Sequence, residues 1–154
     1  MSMYTSLHHD FAARTRANLE FIEKACMEGV PGTCNVTQLI NSLLGMVVFL
    51  NEGKLVPAIP LSQFCSCEDI QAHLDDNQDC SKADRFIQLF RNAIAHCRFQ
   101  AFGPKDNIQS FTMHDQRPKE PIDWKIDITT QGIRDIAFRL VDYVIINSPS
   151  CEAA

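Results

Sequence analysis

Ser81-Lys82-Ala83-Asp84-Arg85-Phe86-Ile87-Gln88-Leu89-Phe90-Arg91-Asn92-Ala93-Ile94-Ala95-His96 is the stretch on which the reading of the fold turns. At 100° per residue, Phe86, Leu89, Phe90, Ala93, Ile94 and Cys97 gather on one arc. That spacing predicts a helix with one face turned to a core. Ser81, with Asp84 three residues on, reads as a start close to a capping box. The helix is expected to reach about Phe99 or Gln100 and to stop before Gly103-Pro104. Arg91 and His96 then flank the face opposite the core. Gln88, Asn92, Ala95 and Phe99 lie between them. Asn92 and His96 are four apart and so within reach of each other.

The segments around this helix carry the same period. A first helix is expected from about Thr5 to Glu28, with Leu7, Phe11, Leu19, Phe21, Ile22, Ala25 and Cys26 on one arc. Arg14, Thr15 and Asn18 fall inside that arc and are read as side chains at its edge. A second helix opens at Asn35, with Gln38 three on, and runs to Gly53. It is apolar nearly all round, which predicts a central helix or one facing a second subunit. Gly45 in its middle suggests close packing. Residues 54–80 form a long connection in which a short helix is expected from Glu68 to Leu74. Ile122, Trp124, Ile126 and Ile128 alternate with charged residues, the pattern of a half-buried strand. Its expected partner is Ile108 to His114. A last helix is capped by Thr129 or Thr130, with Ile133, Ile136, Ala137, Leu140, Val144 and Ile145 as its core positions. The expected fold class is all-α. Residues 1–154 form one domain, a bundle of four main helices with a small β-hairpin before the last.

The composition of the 154 residues narrows the function. Hydrophobic residues make up 45% and charged residues 21%, close to an average globular chain and unlike a disordered or fibrous one. No apolar run approaches the length of a membrane span. The first ten residues lack the basic and apolar regions of a secretory signal, so a cytoplasmic protein is expected. The net charge of −5 argues against a bulk electrostatic nucleic-acid binder. The charge is uneven, however. Residues 66–80 carry five acids and no base, and residues 81–105 carry five bases and one acid. The acidic run reads as a solvated loop. Seven cysteines, an odd number in a chain of this length, point to reduced thiols rather than a disulfide scaffold. Cys65-Ser-Cys67 lacks the spacing of a zinc knuckle, and His8-His9-Asp10 reads as a solvated helix start. No metal and no cofactor is expected.

Arg91 and His96 are the pair that can carry chemistry. Histidine titrates near neutral pH and can take a proton from an attacking hydroxyl. Arginine offers a planar fork matched to phosphate oxygens. An RNA 2′-hydroxyl is a nucleophile already held beside its phosphate. Arg91-Asn92-x-x-x-His96, late in an apolar helix of a small helical protein, resembles the signature of the HEPN superfamily (higher eukaryotes and prokaryotes nucleotide-binding). Asn41 to Phe49 on the preceding helix is similar to a stretch in one branch of HEPN nucleases. The resemblance spans roughly residues 5–147 in helix order.

It implies a helical homodimer in which two Arg…His motifs face each other. It also implies a metal-independent ribonuclease of the toxin or defence type, with RNA as substrate and an antitoxin protein as a further partner. No membrane is implied. Arg91, His96 and Asn92 are then the catalytic candidates, with Gln88, Ala95 and Arg98 as candidates for interface or substrate contact. A non-catalytic HEPN-like module that binds a nucleotide, an RNA or a partner protein is the alternative.

Overall fold

The computed structural model describes residues 7–52, 60–63, 70–72, 82–104, 107–116, 118–120, 122 and 124–148. Among the described residues there are four α-helices: α1 (Leu7–Met27), α2 (Asn35–Glu52), α3 (Ala83–Ala95) and α4 (Thr130–Asn147). Four strands accompany them: β1 (Ile70–Ala72), β2 (Phe99–Phe102), β3 (Ser110–Asp115) and β4 (Trp124–Thr129). The chain divides into two compact units. Residues 1–55 and 137–154 form one, and residues 56–136 form the other.

In the first unit α1 packs against α2. Phe11 stacks on Phe49 with ring centroids 4.4 Å apart, and His8 meets Phe49 edge-on. The buried face of α1 is Ala12, Thr15 and Leu19, each about one helical turn from the next. This corrects the expected arc, because Phe21 is 70% exposed and Leu7 is largely exposed too. Thr15, expected at the edge, is itself buried, whereas Arg14 and Asn18 are exposed. On α2 the buried stripe is Leu39, Leu43, Met46, Val47 and Leu50, while Thr37, Asn41 and Val48 are exposed. The helix therefore turns one stripe inward and is not enclosed on all sides. Its expected capping box does not form, since the Asn35 side chain accepts from the Val36 N–H and the Gln38 N–H donates to the Cys34 carbonyl. The later part of α4 contributes Ala137, Leu140, Val141 and Val144 to this unit's core. Arg16 of α1 pairs with Asp142 of α4 and lies over the Phe138 ring.

The second unit is built on an antiparallel sheet in the order β1-β4-β3-β2. The expected hairpin is present as β3 and β4, in register from Ser110↔Thr129 to Asp115↔Trp124. Two further strands widen it, so the molecule is helical with a four-stranded sheet rather than all-α with a hairpin. β1 lies where a short helix was expected. β2 begins at Phe99, where the third helix was expected to end. The acidic positions of 66–80 and the Ser81 cap lie outside the described residues. The N-cap of α3 is Lys82, in extended backbone and without a side-chain cap bond.

Alternation along the strands turns Phe111, Met113, Trp124, Ile126 and Ile128 inward. α3 packs on this face through Phe86, Leu89, Phe90, Ala93 and Ile94. Phe86 meets Trp124 edge-on at 5.9 Å. The start of α4 is tied to the strand before it. Thr129 accepts the Gly132 N–H at its hydroxyl, 2.9 Å, which makes it the cap, and Thr130 donates to the Ile108 carbonyl.

Candidate active site

α3 ends one residue before the histidine of interest. Ala95 is its last residue and His96 is the C-cap. Cys97 then takes a left-handed conformation at φ 53°. Its N–H donates to the Ile94 carbonyl at 3.0 Å, and the Arg98 N–H reaches the Ala93 carbonyl at 2.7 Å. These two bonds are the paired closures of a Schellman motif, which satisfies the last carbonyls of the helix. The expected run to Phe99 or Gln100 is thus cut short by a residue that carries no glycine signal. His96 and Phe99 are not on the helical wheel at all. The direction of His96 is set by the turn.

Arg91 and Asn92 stand on the last full turn of α3, both half-buried, and His96 is exposed at its end. The Arg91 Nη1 donates to the Asn92 Oδ1 at 3.2 Å. The Asn92 Nδ2 in turn donates to the Asp115 Oδ2 at 3.3 Å. The Asn92 amide therefore bridges Arg91 and Asp115. Its link to His96 runs through the backbone, where the His96 N–H donates to the Asn92 carbonyl at 3.0 Å. The spacing of four brings the two residues together as any helical turn would, without an amide–imidazole bond.

Arg98 also differs from its expected placement. It sits beyond the helix, and its Nη1 donates to the Asp115 Oδ1 at 2.7 Å. The two side chains are 26% and 14% exposed, so this is a mostly buried, charge-assisted bond. Both oxygens of Asp115 are engaged, one by each neighbour. Gln88 and Ala95 are exposed, as the helical wheel places them. Gln88 accepts a hydrogen bond from Arg85 at 2.8 Å. Sequence reasoning passed over Asp115. It ends a strand that carries Phe111 and Met113 on the same face, and only the strand period hinted that its side chain would point toward α3.

The site thus presents an exposed imidazole and a guanidinium held by a neighbouring amide. A second guanidinium is neutralised by a carboxylate. Such a set can exchange a proton and stabilise charge on a phosphate. Among the described residues no group of histidine, cysteine and acidic side chains could hold a metal ion. No described helix is long and apolar enough to cross a membrane.

Comparison with known families places the chain in the HEPN class. The family model described as HEPN pEK499 p136 matches residues 1–150, and the chain belongs to that family. No curated protein and no solved structure matches it.

Proposed function

We propose that this HEPN protein is a metal-independent endoribonuclease acting as a homodimer, of the kind used as a toxin or defence effector. Membership of the HEPN family over residues 1–150 carries the reading, joined to Arg91 and His96 at one end of α3. A neutral His96 takes the proton of an RNA 2′-hydroxyl. The freed oxygen attacks the adjacent phosphorus, and the bond from phosphorus to the 5′-oxygen breaks. A protonated His96 gives that leaving oxygen its proton, so the products are a 2′,3′-cyclic phosphate and a 5′-hydroxyl. Arg91 stabilises the extra negative charge that builds on the phosphate in between. One imidazole cannot be neutral and protonated at the same moment. A two-fold contact that brings two copies of α3 together supplies both forms and doubles the guanidinium donors. Gln88 and Ala95, exposed on this helix, belong to that contact. An antitoxin that covers the same face is the natural silencer of such an enzyme.

The test is cleavage of total RNA in EDTA by the wild type, His96→Ala and Arg91→Ala. Loss of the histidine is expected to slow cleavage by about 10²–10⁴. Loss of the arginine is expected to cost about 10²–10³. Cleavage unchanged by His96→Ala would overturn the mechanism. No cleavage by the wild type, with an RNA oligonucleotide still bound, would leave the non-catalytic binding module instead.

A further inference from the structure

Asp115 lies far along the chain from the Arg91–His96 motif, yet it touches the site from two directions. Its Oδ2 accepts from the Asn92 amide, whose own oxygen holds Arg91. Its Oδ1 accepts from Arg98, two residues beyond His96. The same strand grips the turn a second time, because the His114 N–H donates to the Arg98 carbonyl at 3.1 Å. The anchor is part of the sheet. Asp115 pairs with Trp124 in the sheet register, and Trp124 is fully buried beneath α3.

We propose that Asp115 is the positioning residue of the site. Through Asn92 it fixes the guanidinium of Arg91, and through Arg98 it fixes the cap turn that carries His96. The proposal rests on the ribonuclease reading for its kinetic consequence, but its structural core does not depend on it. Two features favour positioning over plain stability. A carboxylate beside a phosphate site repels substrate unless a cation offsets its charge, and Arg98 does so. The chain Arg91–Asn92–Asp115–Arg98 also leaves no freedom for Asn92 to rotate without breaking a bond to one charged neighbour.

The experiment compares the full-length wild type, Asp115→Ala, Asp115→Glu, Asn92→Ala and the double variant Asn92→Ala/Asp115→Ala. The substrate is a labelled mixed-sequence RNA oligonucleotide. Asp115→Ala is expected to lower kcat about ten- to a hundredfold. KM should stay within about threefold, because the loss is in geometry realised at the transition state. Asp115→Glu should recover part of kcat. In the double variant the loss in kcat should be smaller than the product of the two single losses, since one of the two routes from Asp115 runs through Asn92. The readout independent of cleavage is the Asn92 side-chain amide signal in a ¹⁵N NMR spectrum, identified by its loss in Asn92→Ala. It should move to the position of a free amide in Asp115→Ala.

A kcat within about twofold of wild type in Asp115→Ala, fully additive losses in the double variant, or an unmoved Asn92 signal would each overturn the proposal. If the wild type cleaves nothing, the ribonuclease reading fails. The Asn92 signal then decides the positioning claim alone. If Asp115→Ala does not fold, Asp115→Asn, with the same shape and no charge, replaces it in every arm.

Discussion

Replacing Cys97 by glycine should make the protein more stable, and the size of the gain follows from the turn that ends α3. Cys97 sits at φ 53°, at the position of a Schellman motif where glycine is the usual occupant. A side chain held in the left-handed region costs about 1–2 kcal/mol. Its thiol is exposed, so little burial is lost with it. Against this gain, glycine has more backbone freedom to lose on folding, about 0.4–1 kcal/mol. The balance is a stabilisation of roughly 0.5–1 kcal/mol. In a chain of this length that is a rise in Tm of about 1–4 °C.

Thermal unfolding followed by circular dichroism, with a reductant to keep the exposed thiols apart, measures it. Urea unfolding should move the midpoint up with the same slope. A series sharpens the test. Cys97→Ala keeps the left-handed cost and should fall within about 0.5 kcal/mol of wild type. Cys97→Val adds a β-branch in a region that tolerates it badly and should be the least stable of the set. If glycine lowered Tm, or valine matched it, residue 97 would not be left-handed. The cap geometry that aims His96 would then be wrong.

Three further substitutions test other parts of the molecule. Gly103 sits at φ 144°, and a Cβ there would lie 2.2 Å from the Asn107 carbonyl oxygen and 2.9 Å from the Gln109 nitrogen. Gly103→Ala should therefore destabilise by about 3 kcal/mol or more by combining a forbidden backbone with a clash. A Tm unchanged from wild type would refute the β2–β3 turn. At Gly45, by contrast, a Cβ would meet the Phe11 ring at 3.5 Å, an ordinary contact. Gly45→Ala is expected to stabilise by about 0.5–1 kcal/mol through helix propensity, and a loss of stability would show α1 and α2 to be closer than described. Ala95→Glu, on the exposed face of α3, should break the proposed homodimer and abolish the proposed cleavage together. Light scattering that still shows a fully active dimer would remove that face as the interface.

Much of the fold was legible because helical and strand periods are local. α2, α4 and the β3–β4 hairpin stand close to where apolar spacing puts them. α1 shows the limit of that reasoning. Its helix was placed well but its buried face only in part: Leu19 is buried as expected, whereas Ala12 and Thr15, also buried, carry little weight in any apolar count. Phe21 and Leu7 dominate the count and stay exposed. β2 was missed for a different reason. Phe99-Gln100-Ala101-Phe102 continues an apolar helix without a break in sequence, and only its pairing from Phe99↔Met113 to Phe102↔Ser110 makes it a strand. That pairing needs the left-handed turn at Cys97, where the chain offers no glycine to announce it.

The same contrast decides what could be known of the site. Arg91, Asn92 and His96 could be found by spacing because one helix brings them together. Their orientation could not, because a helical wheel assigns His96 to a face only if the helix continues through it, and α3 ends at Ala95. What aims the histidine is the cap turn, and what holds that turn is β3, through the His114 N–H and the Asp115 carboxylate on Arg98. The strand reaches α3 only because the chain reverses at Gly103, where the backbone excludes any side chain. A change at Gly103 should therefore reach the Asn92 amide as well as the stability of the sheet. If Gly103→Ala unfolded β2 yet left the Asn92 signal in place, the anchor would lie in the β3–β4 pair alone, with the cap turn independent of it.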